Sequence, residues 1–218
     1  MSDSPLLHDL ELDLLTELFN IGVSQAATSL SQMVQQEILL CVPRVEFSTP
    51  QELAQRLGQQ QSVIAISQEI DGPFSAYAML LFAEHNSLMV VRQMLGNQLS
   101  EETLAELQQE ALSEIGNIVL NACIGAISQG INDSFDIKLP HIKVATPDHL
   151  FDHLFDDFQV PSDQETILSL HIDMRLRDSQ ITSYLAFLLR GISFNQLKQT
   201  LINVLINIDT PENKKLRR

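Results

Sequence analysis

The sequence predicts an α+β protein in which two α-β-α-β-β-α halves, related by a pseudo-twofold, build an antiparallel sheet carrying two long helices. Three observations predict it. The helix-like segment Leu12–Val34 reappears as Gln109–Ile131 at an offset of 97 positions. Both halves then present the same order of elements. Finally, turn sequences, Asp71-Gly72-Pro73 and Arg177-Asp178-Ser179, separate the last two strand-like segments of each half, and strands joined by short turns pair antiparallel.

The first half reads as a helix over about Leu7–Gln35, a strand over Glu37–Phe47, a short helix over Pro50–Leu57, strands over Ser62–Ile70 and Pro73–Phe82, and a helix over Glu84–Leu95. The second half repeats this with a helix over Glu101–Gly130 and a strand over Phe135–Val144. A short helix over Pro147–Phe155, strands over Glu165–Arg175 and Ile181–Leu189, and a helix over Asn195–Ile206 follow. The register of 97 persists beyond the long helices, since Ser31-Gln32 matches Ser128-Gln129, Thr49-Pro50 matches Thr146-Pro147, and Leu53 matches Leu150. Later, Tyr77 to Phe82 resembles Tyr184 to Leu189 at an offset of 107, as insertions in connecting segments produce. A period near 97 is too long for a solenoid. The expected organisation is a first copy over residues 1–97, a second over residues 98–208, both folded into one compact domain, and a basic tail over 209–218.

With 218 residues and 44% hydrophobic content, the chain can bury a sizeable core. No continuous apolar run reaches the roughly 18 residues of a membrane span, and Met-Ser-Asp-Ser-Pro is unlike a secretory signal, so a cytoplasmic protein without membrane insertion is expected. A formal charge of −15 excludes the basic footprint that nucleic acid or an anionic membrane demands, which favours a protein partner or a small substrate. Concentrated positive charge occurs only in the tail Lys214-Lys215-Leu216-Arg217-Arg218, read as a solvated end. Cys41 and Cys123 lie in apolar contexts without Cys-x-x-Cys spacing and are expected to be buried reduced thiols.

The long helices carry the candidate chemistry. Asp13, Glu17, Asn20, Ser24, Thr28 and Ser31 step by three and four residues, which keeps them on one helical face. The matching stripe is Glu110, Glu114, Asn117, Asn121, Gly125 and Ser128. Leu14, Leu18 and Ile21, and Ala111, Ile115 and Ile118, are expected to face the core. A polar stripe on a single amphipathic helix is ordinarily its solvated face. Duplication argues for more, because asparagine is a mediocre helix former and a merely solvated face would hold Glu, Lys or Gln.

The spacing Asp13-x3-Glu17-x2-Asn20-x22-Pro43, repeated as Glu110-x3-Glu114-x2-Asn117-x22-Pro140, resembles the doubled motif of the CheC family of chemotaxis phosphatases, related to CheX and FliY. The likeness spans about residues 8–206. It departs from the family at Glu110, where Asp or Ser is usual. The resemblance implies hydrolysis of the aspartyl phosphate of a CheY-like response regulator. In that scheme Asn20 and Asn117 orient the attacking water, Glu17 and Glu114 dock the regulator's lysine, and Asp13 and Glu110 extend the partner-binding surface. It also implies no cofactor of the chain's own, the Mg²⁺ being held by the regulator. Pro43 and Pro140 read as structural residues that shape the strand after each helix.

His149 and His153, near Asp148, Asp152, Asp156 and Asp157, have the i, i+4 spacing of a metal pair, but no third ligand is identifiable and a short amphipathic helix explains them. Two alternatives to the phosphatase come from other classes. One is a regulatory binding module for the phosphorylated regulator or a CheD-type receptor deamidase, with little or no hydrolysis. The other is a FliY-like switch component, which the absence of a further domain after Ile206 disfavours. A monomer is favoured, because two internal copies already supply the symmetry.

Overall fold

The computed structural model describes residues 7–57, 62–95, 100–150, 165–176 and 179–209. The first long helix, α1 (Asp9–Val34), begins where the Glu11 carboxylate accepts the His8 backbone N–H at 2.8 Å, satisfying a donor next to the helix start. It ends at Gln35, whose φ of 55° is left-handed. The second long helix, α4 (Glu101–Ile131), is capped by the Ser100 hydroxyl, which accepts the Thr103 N–H at 3.2 Å, and it ends at Asn132 with φ 54°. Gln35 and Asn132 are themselves 97 positions apart, so the stop signal is duplicated along with the helix.

Between the long helices lie α2 (Pro50–Leu57) and α3 (Glu84–Leu95); α5 (Gly191–Asp209) closes the described chain. A reciprocal box starts α2: Glu52 accepts from the Thr49 N–H at 2.8 Å and the Thr49 hydroxyl accepts from the Glu52 N–H at 3.2 Å. Among the described residues seven strands form one sheet: β1 (Ile38–Ser48), β2 (Val63–Asp71), β3 (Ala76–Ala83), β4 (Asp136–Ile137), β5 (His141–Ala145), β6 (Glu165–Leu176) and β7 (Ser179–Arg190). Every pairing is antiparallel, and the order is β1-β6-β7-β3-β2, with β4 and β5 both running along the outer edge of β2.

This order has the expected twofold character. Each half keeps its own hairpin, β2-β3 or β6-β7, the two hairpins meet at β3-β7, and each half sends its first strand to the other half's hairpin. Cross-strand registers make the equivalence quantitative. Ser48 opposite Ile167 and Arg44 opposite His171 correspond to Ala145 opposite Val63 and His141 opposite Ser67, which equates β2 with β6 at an offset of 104. The hairpin pairs Ile70–Ala76 and Met174–Ile181 then equate β3 with β7 at 105, two fewer than the sequence match of Tyr77 with Tyr184 suggests. An even slip leaves every side chain on its face, so alternation alone could not have revealed it.

The strand expected over Phe135–Val144 is two short ones, β4 and β5, parted at 138–140. The first half shows the same defect more mildly: β1 stays continuous, but its register shifts between Cys41 and Arg44. Pro43 and Pro140 stand at these equivalent breaks, where proline withholds a ladder donor and a bulge absorbs it. Of the short helix expected over Pro147–Phe155, a single 3₁₀ turn at Pro147–His149 is described. His153, Asp152, Asp156, Asp157, the turn residues Arg177 and Asp178, and the basic tail beyond Asp209 lie outside the described residues.

Both faces of the sheet are covered. Ile64, Ile66, Ala78, Leu80, Phe82 and Phe187 pack under α1, α4 and α5, whereas Val63, Ala65, Met79, Leu81 and Leu188 face Leu53 and Leu57 of α2. Among the described residues α4 is long and apolar enough, by length and composition, to cross a membrane, although no uninterrupted apolar run announces it. Half of its most apolar stretch is buried inside the fold.

The two long helices cross antiparallel, since Gly22 lies against Cys123 while Leu18 lies over Gly130. At Gly22 a β-carbon would sit 2.6 Å from the Cys123 Cα and 2.9 Å from the Ala122 carbonyl oxygen, both backbone atoms that cannot swing aside. Cys123 is fully buried at this crossing, and burial pushes its thiol up to about 12.

Gly22→Ala is therefore expected to lower unfolding free energy by about 1–3 kcal/mol, the usual range for overpacking. Gly125→Ala, with nothing within 4 Å of its added β-carbon, should raise stability by about 0.5–1 kcal/mol through helix propensity. Urea denaturation of both variants checks the contrast. For Cys123, a folded pKa above the unfolded value of about 9 means that the neutral thiol stabilises the fold below that pH, and that this contribution falls as the pH rises toward 12. The denaturation midpoint should drop more steeply between pH 9 and 11 in wild type than in Cys123→Ala.

Candidate functional site

The motif residues occupy two separate patches, one on each long helix. On α1, Asp13, Glu17 and Asn20 are all exposed. Asn20 makes no side-chain hydrogen bond among the described residues, and it borders a shallow groove of about 390 Å³ shared with Glu17, Ile21, Ser24 and Thr28. Ile21, expected in the core, is instead 41% exposed beside it. Leu18, one turn from Leu14, fills the inward position that Ile21 was expected to share.

On α4, Glu110 and Glu114 are exposed but Asn117 is half-buried. It lies at one end of a cleft of about 650 Å³ formed with Glu110, Glu114, Met94, Leu139 and Pro140. Its side-chain oxygen accepts two hydrogen bonds, from Asn121 Nδ2 at 2.7 Å and from Gln68 Nε2 at 3.2 Å. Gln68, 2% exposed on β2, also donates to the Lys138 carbonyl at 3.4 Å, in the segment between β4 and β5 that carries Pro140. The Gln68 and Asn121 side-chain oxygens are themselves buried without a partner among the described residues. Two donors thus converge on one acceptor.

Sequence reading missed Gln68, although a signal was present. It falls in phase with Ile64, Ile66 and Ile70, the inward positions of β2, and a polar residue at an inward phase is the informative exception to burial. The lower stripe is structural rather than exposed chemistry. Ser31 donates to the Ala27 carbonyl at 2.7 Å and accepts the Ile38 N–H at 2.9 Å, tying α1 to the start of β1. Its equivalent Ser128 donates to the Asp133 carbonyl just beyond α4.

Carboxylates dominate both patches. Near the second, Lys138 pairs with Asp136 at 2.5 Å, and that hydrogen bond and charge, aided by Glu69 and Asp71, hold its ammonium above the ordinary lysine value. Among the described residues no three His, Cys, Asp or Glu side chains gather as metal ligands. The arrangement offers each patch a carboxylate one turn from a neutral amide, suited to grasping a cation while presenting hydrogen bonds to a neighbouring anion.

The profile of the CheC-like family matches residues 10–46, which contain the whole first motif. CheC1 of Halobacterium salinarum is 21% identical over 171 residues, covering 78% of this chain and 85% of that protein. The CheY-P phosphatase CheC of Bacillus subtilis is 25% identical over 122 residues, covering 54% of this chain and 58% of that protein. FliY of Thermotoga maritima shares the fold, with a TM-score of 0.69 at 16% identity over 91% of this chain and 99% of that one. The fold and the doubled motif together place two similar polar patches on the paired long helices. The chain is thus similar to the CheC-like family across its first motif, and to FliY in fold.

The two asparagines should differ in what they do for the fold. Asn20→Ala should leave unfolding free energy within about 0.5 kcal/mol of wild type. Asn117→Ala removes the shared acceptor of two amide donors and should cost about 1–3 kcal/mol. Parallel urea titrations of the two variants measure the difference.

Proposed function

We propose that the protein is a phosphatase that hydrolyses the aspartyl phosphate of a CheY-like response regulator. The observation that carries this reading is the Glu-x-x-Asn pair, retained twice at the same register, with both glutamates and Asn20 exposed and Asn117 half-buried beside a cleft. The B. subtilis relative, named as a CheY-P phosphatase, supports the activity and the partner.

An acyl phosphate is already reactive, so catalysis needs chiefly an aligned water and stabilisation of phosphoryl charge. The asparagine amide enters the regulator's site and orients a water in line with phosphorus. A new P–O bond forms to the water as the bond to the aspartyl oxygen breaks, its electron pair staying on the carboxylate, and the water's protons pass to phosphate and solvent. The amide suits this role because it is neutral beside an anion and both accepts and donates hydrogen bonds. Glu17 or Glu114, one turn away, pairs with the lysine beside the regulator's phosphorylated aspartate and sets the helix in register. A carboxylate in the asparagine's place would be repelled by the phosphoryl oxygens. Asp13 and Glu110 extend the docking surface. The regulator's own acidic cluster holds Mg²⁺, which neutralises phosphoryl charge, and the scheme asks no metal ligand of this chain.

With substoichiometric protein and a phosphorylated CheY-like regulator, wild type should give multiple turnovers, and the folded Asn20→Ala/Asn117→Ala double variant should lose at least about a hundredfold, in the range for removing a positioned catalytic group. The Glu17→Lys/Glu114→Lys variant should weaken regulator binding itself. Saturating binding by wild type with an unchanged phosphate lifetime would sink the phosphatase reading.

A further inference from the structure

We propose that Gln68 is a positioning residue that makes the two sites unequal: its amide holds the Asn117 carbonyl inward, so turnover runs through Asn20 on α1 while the α4 site stays idle until Gln68 lets go. The inference rests on the phosphatase reading for its kinetic consequence, but the latch itself stands on contacts within this chain.

The chemistry turns on which end of the amide meets the water. A water that attacks phosphorus must keep a lone pair aimed at it, so the useful neighbour accepts one of its hydrogens, and in asparagine only Oδ1 can do so. A carbonyl oxygen has two lone pairs. At Asn117 both are engaged, by Gln68 Nε2 at 3.2 Å and Asn121 Nδ2 at 2.7 Å. The remaining Nδ2 group can only donate, which would occupy the lone pair that the attack requires. At Asn20 neither end of the amide is engaged by a described residue.

The difference is built in at three equivalent positions. Next to Asn117 lies Gly116, where a β-carbon would come 2.3 Å from Ile66 Cγ2, so α4 rests directly on β2 and brings Asn117 within reach of Gln68. The equivalent of Gly116 is Phe19, a fully buried ring packed 5.3 Å from Phe187, which fills the space between α1 and the sheet. The equivalent of Gln68, by the offset of 104 that the strand pairing fixes, is Ile172, which has no amide to donate. The equivalent of Asn121 is Ser24, which is exposed and not bonded to Asn20 among the described residues. Gln68 is held to its task by burial and by its second bond, to the Lys138 carbonyl.

The test compares phosphate loss from the regulator for wild type, Asn20→Ala, Asn117→Ala, Asn20→Ala/Gln68→Leu and the same pair with Asn117→Ala added, each checked for fold by its denaturation midpoint. Leucine keeps the volume and removes the donor. Asn20→Ala should lose at least tenfold and Asn117→Ala less than threefold. Adding Gln68→Leu to Asn20→Ala should recover severalfold, a gain that vanishes when Asn117 is also removed. Loss of stability alone cannot raise a rate. An Asn117→Ala defect as large as that of Asn20→Ala, or no recovery in folded Asn20→Ala/Gln68→Leu, overturns the proposal. If wild type itself shows no turnover, the phosphatase reading fails and the latch is judged by NMR. The Asn117 side-chain amide pair, identified by its loss in Asn117→Asp, should then shift in Gln68→Leu while that of Asn20 does not, and an unmoved Asn117 pair overturns it.

Discussion

The rest of the structure depends on the close antiparallel crossing of α1 and α4. Gly22 meets the Cys123 backbone with no room for a side chain, and Leu18 lies over Gly130. That approach buries Leu15, Val23, Leu120 and Cys123 along one line and turns the opposite flank of each helix outward. Because the helices are antiparallel and carry the same stripe at the same register, the crossing delivers two motif patches related by the same pseudo-twofold that relates the strands. Packing between helices, rather than any interaction among the motif residues, thus decides where the motif residues are displayed.

The sheet enforces this arrangement from below. Each half exports its first strand to the other half's hairpin, so neither half completes its share of the sheet alone, and the helix leading into each strand must start where the partner half places it. Ser31 and Ser128 fasten the helix ends to this scheme, and the ladder of each first strand is interrupted at Pro43 or Pro140. Between β4 and β5, the Lys138 carbonyl accepts from Gln68 while Pro140 borders the cleft beside Asn117. The interruption of the strand is therefore linked to the motif stripe through Gln68.

Duplication followed by divergence leaves equal motifs in unequal settings. The carboxylates remain exposed on both helices, whereas Asn20 makes no side-chain hydrogen bond among the described residues and Asn117 sits in a half-buried amide network. Such networks hold a side chain in one orientation because an unpaired buried polar group is costly. Orientation is what separates the two ends of an amide chemically, so a difference that looks like packing bears directly on mechanism.

Sequence alone determined the doubled helix-strand order, the antiparallel pairing and the motif stripe, because each is written in local periodicity and in the offset of 97. It also marked the prolines as structural, since a residue without an N–H must interrupt a ladder wherever it falls. Tertiary structure decided the remainder. The true offset of β3 to β7 was invisible because a slip of two preserves alternation, and Ile21 surfaced because Leu18 already fills the inward position. Gln68 joined the site only through folding: 49 residues separate it from Asn117, and their meeting depends on Gly116 letting α4 rest on β2. A stripe on one helix is a local property that spacing reveals, while the state of each asparagine depends on what a distant strand places against it.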